Sequence, residues 1–239
     1  MAYISYEKYG PEYKKLWDTM HIIRDAAELQ RLSDKIFANK APYEKVQKAT
    51  GVPWQMVAVI HVREAGEQDI GRWRCCLHNG EAIIGKGTKT HLVPAGRGPF
   101  NTWHEAAVDA LKMKGFQNIP TWPVARVLWA LEPYNGYGYR NKGLRSPYLW
   151  ASTNHQQRGK YVADGVFDPN VVDREIGCAA LLKYLAFGKD TGILKSTISA
   201  VATGLAAVSM PTYAWTIAGG GGVGIAGYLA YKYYKGKQK

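Results

Sequence analysis

Glu64 closes the stretch VPWQMVAVIHVREAG (52–66), in which residues 54–62 are apolar on nearly every face apart from Gln55 and His61. A carboxylate at the end of a buried helix is costly to ionise, so burial raises its pKa and favours the protonated acid near neutrality. A carboxyl group in that state can protonate the leaving oxygen of a glycosidic bond. On spacing alone a second reading stays open, a helix-terminal glutamate paired with Arg63 or Arg72. Glu81, 17 residues on in an HNGE turn, is a further carboxylate, whose ordinary reading is a solvated turn residue. His78 and Asn79 open the same turn and either line a cleft or only shape the chain. Asp69 and Asp109 are weaker candidates, and Asp109 sits inside a helical pattern where it would buttress the loops.

The segment YNGYGYR (134–140) offers binding rather than proton chemistry. Asn135 can hydrogen-bond an N-acetyl group, and Tyr134, Tyr137 and Tyr139 present flat faces to sugar rings. Trp103 and Trp150 are candidates for the same platform role, with burial in a core as the alternative. His61 and Glu64 lie three apart on one helix face, yet no HExxH or CxxC pair is present, so neither metal nor cofactor is expected. Cys75, Cys76 and Cys178 cannot build a disulfide framework, and no nearby base marks a cysteine as a nucleophile.

Positioning these groups requires helices. Leu16, Met20, Ile23 and Ala27 recur at helical spacing and predict an amphipathic helix from about Glu12 to Asn39. Pro42 begins a second helix that Gly51 stops, and Pro53 begins the buried one that ends at Gly66. Residues 67–102 are dense in Gly, Pro and Thr around short apolar pieces, which predicts a hairpin or loop-rich lobe. Helical patterning returns at 103–116 and 123–134, and a last helix is expected over 171–187. The pattern is α+β, mainly α, with one small β lobe after the first buried helix and no internal repeat. It divides into an N-terminal helical segment (1–50), a central domain (51–190) and a tail (191–239).

The chain of 239 residues carries 31 Lys+Arg against 19 Asp+Glu, a net charge of +12 that favours an anionic partner. A nucleic-acid binder is not expected, because neither a basic recognition helix nor an RNP-type motif is present. The opening residues MAYISYEKYGPEYKK mix charge and tyrosine without an apolar core, so no cleavable signal peptide is expected. Residues 196–231 form a run of 36 without charge, divided by Pro211. A bilayer core takes about 20 apolar residues. The part after Pro211 is long enough, though it holds six glycines. The run is read as a membrane-inserting segment, with burial against a protein partner or self-association as the other outcome.

Taken together and in order, IHVREAG, CLHNGEAI, VPAGRGPF, TWHEAAVDAL, LEPYNGYGYR, SPYLW and GKYVADGVFDP resemble a family of phage and bacterial lysozyme-type proteins over about residues 52–185. Glu64 with Tyr134–Asn135–Gly136 also looks like the glutamate and Tyr-Asn-Ala-Gly motif of lytic transglycosylases and goose-type lysozymes. The resemblance implies a lysozyme-like fold with Glu64 as general acid, the β lobe as the opposite wall of the cleft with Glu81 on it as second carboxylate (base or stabiliser), and cleavage of the β-1,4 bond between N-acetylmuramic acid and N-acetylglucosamine. It implies either hydrolysis or attack by the substrate's own hydroxyl to give a 1,6-anhydro product. Ala65 stands where the family usually has Ser, His104 and Ala106 depart from its T-W-E-x-S word, and the proline of its G-R-P word is displaced in GRGPF. These departures bear on efficiency. The expected partners are peptidoglycan, the bacterial inner membrane through residues 196–231, and phage structural proteins. The expected setting is the host envelope, reached during lysis or carried in a virion. The alternative function is a membrane-inserting ejection protein whose lysozyme-like domain is a transglycosylase or has decayed.

Overall fold

A computed structural model of the chain describes residues 4–163 and 165–187. Helices dominate: α1 (Tyr6–Asp18), α2 (Ala26–Ala38), α3 (Lys40–Thr50), α4 (Trp54–Ala65), α5 (Trp103–Met113), α6 (Val124–Asn135), the single turn α7 (Pro147–Trp150) and α8 (Cys178–Tyr184). One antiparallel pair, β1 (Lys160–Ala163) and β2 (Val166–Asp168), places Lys160 opposite Asp168 and Tyr161 opposite Phe167. The fold of the described residues is therefore α+β and mainly α.

The centre of the core is α4. Its residues Met56, Val57, Ala58, Val59 and Ile60 are all fully buried, which matches an apolar surface running round the helix rather than along one stripe. No side-chain cap holds its start; the Trp54 N–H instead donates to Gln47 Oε1 at 2.7 Å, tying α4 to α3. Gly66, at φ 75°, ends it. Helices α3 and α8 pack on α4, α5 packs on α3, and α1 lies along α6. Residues 1–50, read from the sequence as a segment of their own, share this core through Tyr13, Leu16, Leu29, Leu32, Ile36, Tyr43 and Val46.

Three expectations are corrected. The helix foreseen from Glu12 to Asn39 is two helices, because residues 19–25 leave helical geometry to pair with the chain near residue 153. The His21 N–H donates to Asn154 Oδ1 at 2.9 Å and the Ile23 N–H to the Ser152 carbonyl at 3.1 Å. Asp25 then enters α2 from the left-handed region at φ 64°. Secondly, the β lobe is not at 67–102, where no strand forms among the described residues. That stretch is a lobe of turns closed by isolated backbone bonds, such as Cys76 N–H to Glu81 and Gly85 N–H to Phe100. The small sheet lies instead at 160–168, in the segment GKYVADGVFDP. Thirdly, the helix expected over 171–187 is confined to Cys178–Tyr184, because residues 173–176 are drawn into ion pairs and backbone bonds with α4.

Residues 188–239, which include the uncharged run, lie outside the described residues. Among the described residues no helix is long and apolar enough to cross a membrane.

Candidate active site

The last turn of α4 opens into a cleft of about 550 Å³ lined by Arg63, Glu64, Asn135, Tyr139, Tyr148, Lys160, Tyr161, Asp173 and Glu175 among others. Four elements build it: α4, the end of α6 with the loop after it, α7, and the hairpin β1–β2. Glu64 is its most perturbed acid. Burial pushes its carboxyl up to about 7, against the Tyr148 hydroxyl, which donates to Oε1 at 2.9 Å, and the charges of Arg63 and Lys114. The carbonyl end of α4 carries partial negative charge and acts in the same upward direction as burial. At pH 6–7 this carboxyl group therefore spends much of its time protonated, beside a cleft wide enough for a ligand.

Neighbouring side chains hold Glu64 in place. Arg63, the preceding residue, lies over the Tyr148 ring at 4.8 Å and donates to the Ile176 carbonyl at 3.2 Å. Lys114 lies over the Tyr134 ring at 4.9 Å, and burial lowers its pKa while the charge of Glu64 raises it. Gly80 is pressed against the backbone of Glu64: a Cβ there would meet the Glu64 carbonyl oxygen at 2.1 Å, and its φ is +75°. The HNGE turn thus supports the acid from behind through a residue that has no side chain.

The residues picked from sequence fall in four places. Glu64, Asn135 and Tyr139 line the cleft together. Asn135 is exposed, its amide nitrogen 3.5 Å from Ser146 Oγ. Tyr139 Oη accepts the Tyr161 N–H at 3.0 Å, and the two rings meet edge to face, which fastens the hairpin to the loop after α6. Tyr134 and Tyr137 lie beside the cleft rather than in its lining. Tyr134 donates its hydroxyl to the Leu77 carbonyl at 2.9 Å and Tyr137 is buried.

His78, Asn79 and Glu81 belong to the lobe of turns. Glu81 accepts the N–H groups of His91 (2.9 Å) and Leu92 (3.0 Å) and the Asn79 amide (2.9 Å). Desolvation, the largest single influence, works against its charge, but these bonds together outweigh it and hold the carboxyl below its ordinary range. His78 stacks on Phe100 and sits 2.8 Å from Asp109, which Arg97 also binds. Burial lowers the His78 pKa, and Asp109 only partly opposes it. Trp103 is in neither place. It is buried beside Tyr43, His61 and Trp73. In that cluster His61 joins Tyr43 (2.8 Å) to Asp69 (2.9 Å), so its ring nitrogens are both occupied.

Tyr148, Lys160, Asp173 and Glu175 were not singled out from the sequence. Tyr148 lies within the SPYLW word, and the run Asp173-Arg174-Glu175 just before a helical apolar stretch is a charge cluster that a search for carboxylates beyond the first lobe would have reached. No protein-family model, no curated protein and no solved structure matches the chain.

Proposed function

We propose that the protein cleaves the β-1,4 glycan of peptidoglycan between N-acetylmuramic acid and N-acetylglucosamine, with Glu64 as general acid. The observation that carries this reading is the Glu64 carboxyl group, raised to about 7 by burial at the edge of an open cleft. An acid with that pKa keeps its proton near neutrality and is acidic enough to deliver it to a departing sugar oxygen. Three further features support it. The cleft is lined in part by the loop YNGYGYR, through Asn135, Gly138 and Tyr139. Tyr148 orients the carboxyl group from one side, leaving one oxygen for the substrate. The positive net charge suits a polyanionic wall. The order of sequence words shared with lysozyme-type proteins points the same way, as does a mainly helical fold in which the acid ends a buried helix.

Use by a phage at the host envelope, with residues 196–231 entering the inner membrane, belongs to the same proposal and rests on the sequence. The test of the chemistry is digestion of purified peptidoglycan by the full chain, with products identified by mass spectrometry. Wild type is expected to release muropeptides and Glu64→Gln to release at least ~10²-fold fewer while remaining folded. A folded, active Glu64→Gln protein would remove Glu64 from the mechanism.

A further inference from the structure

A cleft that breaks a glycosidic bond needs a second group to handle the attacking nucleophile. Glu81 does not supply it: its oxygens are taken up by backbone N–H groups and Asn79 in the lobe of turns, and it does not line the cleft. Two carboxylates besides Glu64 do line it, Asp173 and Glu175. They differ sharply in what remains available. The Asp173 side chain is 3% exposed; Oδ1 accepts Lys160 Nζ at 3.1 Å and the Glu175 N–H at 3.0 Å, and Oδ2 faces Arg63 at 3.8 Å. The Glu175 side chain is 59% exposed, with Oε2 on Arg63 at 2.9 Å and Oε1 3.5 Å from Lys160.

Glu175 is also held to Glu64 by a short, stiff route. Its own N–H is fixed by Asp173, its carboxylate by Arg63, and Arg63 is the chain neighbour of Glu64 and lies over Tyr148, the residue that orients the acid. The charge of Glu175 reaches Glu64 and adds to the upward push on its carboxyl. Glu175 meets two cations, Arg63 and Lys160, while burial pushes the Glu64 carboxyl up, so one cleft holds two carboxyl groups in contrasting surroundings.

We propose that Glu175 is the second catalytic carboxylate of this cleft and takes the proton of the water that attacks the sugar. The inference rests on the glycan-cleaving reading above and makes the protein a hydrolase. In the step, a water oxygen bonds to the anomeric carbon as the bond from that carbon to the leaving oxygen breaks. Glu64 gives its proton to the leaving oxygen and Glu175 receives one from the water. Proton exchange with solvent restores both carboxyl groups.

The experiment uses the full chain on purified peptidoglycan, comparing wild type, Glu175→Gln and Glu175→Ala with and without sodium azide. Wild type is expected to leave reducing muramic ends, and Glu175→Gln to lose at least ~10²-fold in turnover. Azide, a nucleophile that needs no base, is expected to restore cleavage to Glu175→Ala and to appear in the product as a glycosyl azide. A structural role for Glu175 would not produce that product. Wild-type activity retained within about threefold by Glu175→Gln would overturn the assignment and leave the role of Glu64 standing. So would 1,6-anhydro ends from wild type, or a loss that azide does not restore. Wild type with no glycan cleavage at all would remove the glycan-cleaving reading itself, and this assignment with it.

Discussion

In the proposed function Glu64 is both a catalytic acid and a structural residue, and the two demands conflict in a measurable way. Its carboxyl is near 4.5 when exposed and about 7 when folded, because burial disfavours its charge. The folded state thus binds the proton more tightly than the unfolded one. Its stability is undiminished below pH 4.5 and falls as pH rises towards 7, by roughly 3 kcal/mol in all from a shift of this size. Glu64→Gln removes that penalty, so the inactive variant is expected to be more stable than wild type above pH 7. The difference should vanish towards pH 4.5; chemical denaturation across pH 4–8 checks this. On the proposed function, the same titration is expected to set the alkaline limb of activity, with a midpoint near 7. Tyr148 donates to the ionised carboxylate and lowers its pKa, so Tyr148→Phe should move that limb to higher pH. A pH–rate profile of kcat/KM reads the shift, and an unmoved limb would assign the titration to another group.

At the scale of elements, α4 is a rod that carries Glu64, and its C-terminal end is fixed by what lies against it as well as by the Gly66 cap. Gly80 is the tightest of these supports, since any side chain at that position would strike the Glu64 carbonyl oxygen. Gly80→Ala must shift either the HNGE turn or the last turn of α4, and its φ of +75° adds strain. A loss of about 1–3 kcal/mol in stability is expected. Turnover should fall with it, because the acid moves; thermal unfolding and the peptidoglycan assay measure the two effects. This turn was conspicuous in the sequence for its residue types, which suggested that His78, Asn79 and Glu81 face the substrate. Instead, the described structure uses Glu81 to gather backbone N–H groups and Gly80 to approach the helix. Polar residues in a turn satisfy their own loop or a ligand equally well, and residue type alone does not say which.

Over the molecule as a whole, the excess of 12 positive charges is spread between the described residues and the uncharged tail's flanking lysines. Attraction of a basic protein to an anionic wall is screened by salt, with a Debye length of ~10 Å at 0.1 M and ~3 Å at 1 M. Cleavage of intact peptidoglycan should therefore weaken steeply between low and high ionic strength. Cleavage of a short uncharged chito-oligosaccharide should respond much less, and steady-state rates on both substrates test the difference. Equal salt dependence would place the effect in the cleft rather than in the overall field.

The sequence by itself determined the buried helix between Pro53 and Gly66, helices at about 103–116 and 123–134, which form at Trp103–Met113 and Val124–Asn135, and Glu64 as a costly carboxylate. Continuous apolarity and helical period are local properties, and a carboxylate at the end of such a helix is costly wherever the helix packs. It did not determine where the sheet lies, since the short segment 160–168 becomes a hairpin only when Tyr161 and Phe167 pack on Tyr139. Nor did it determine which carboxylates share the cleft with Glu64. Glu175 is 111 residues away along the chain and arrives there because Arg63 binds its side chain and Ile176. Meetings across that distance are decided by packing in three dimensions, and spacing along the chain carries no record of them.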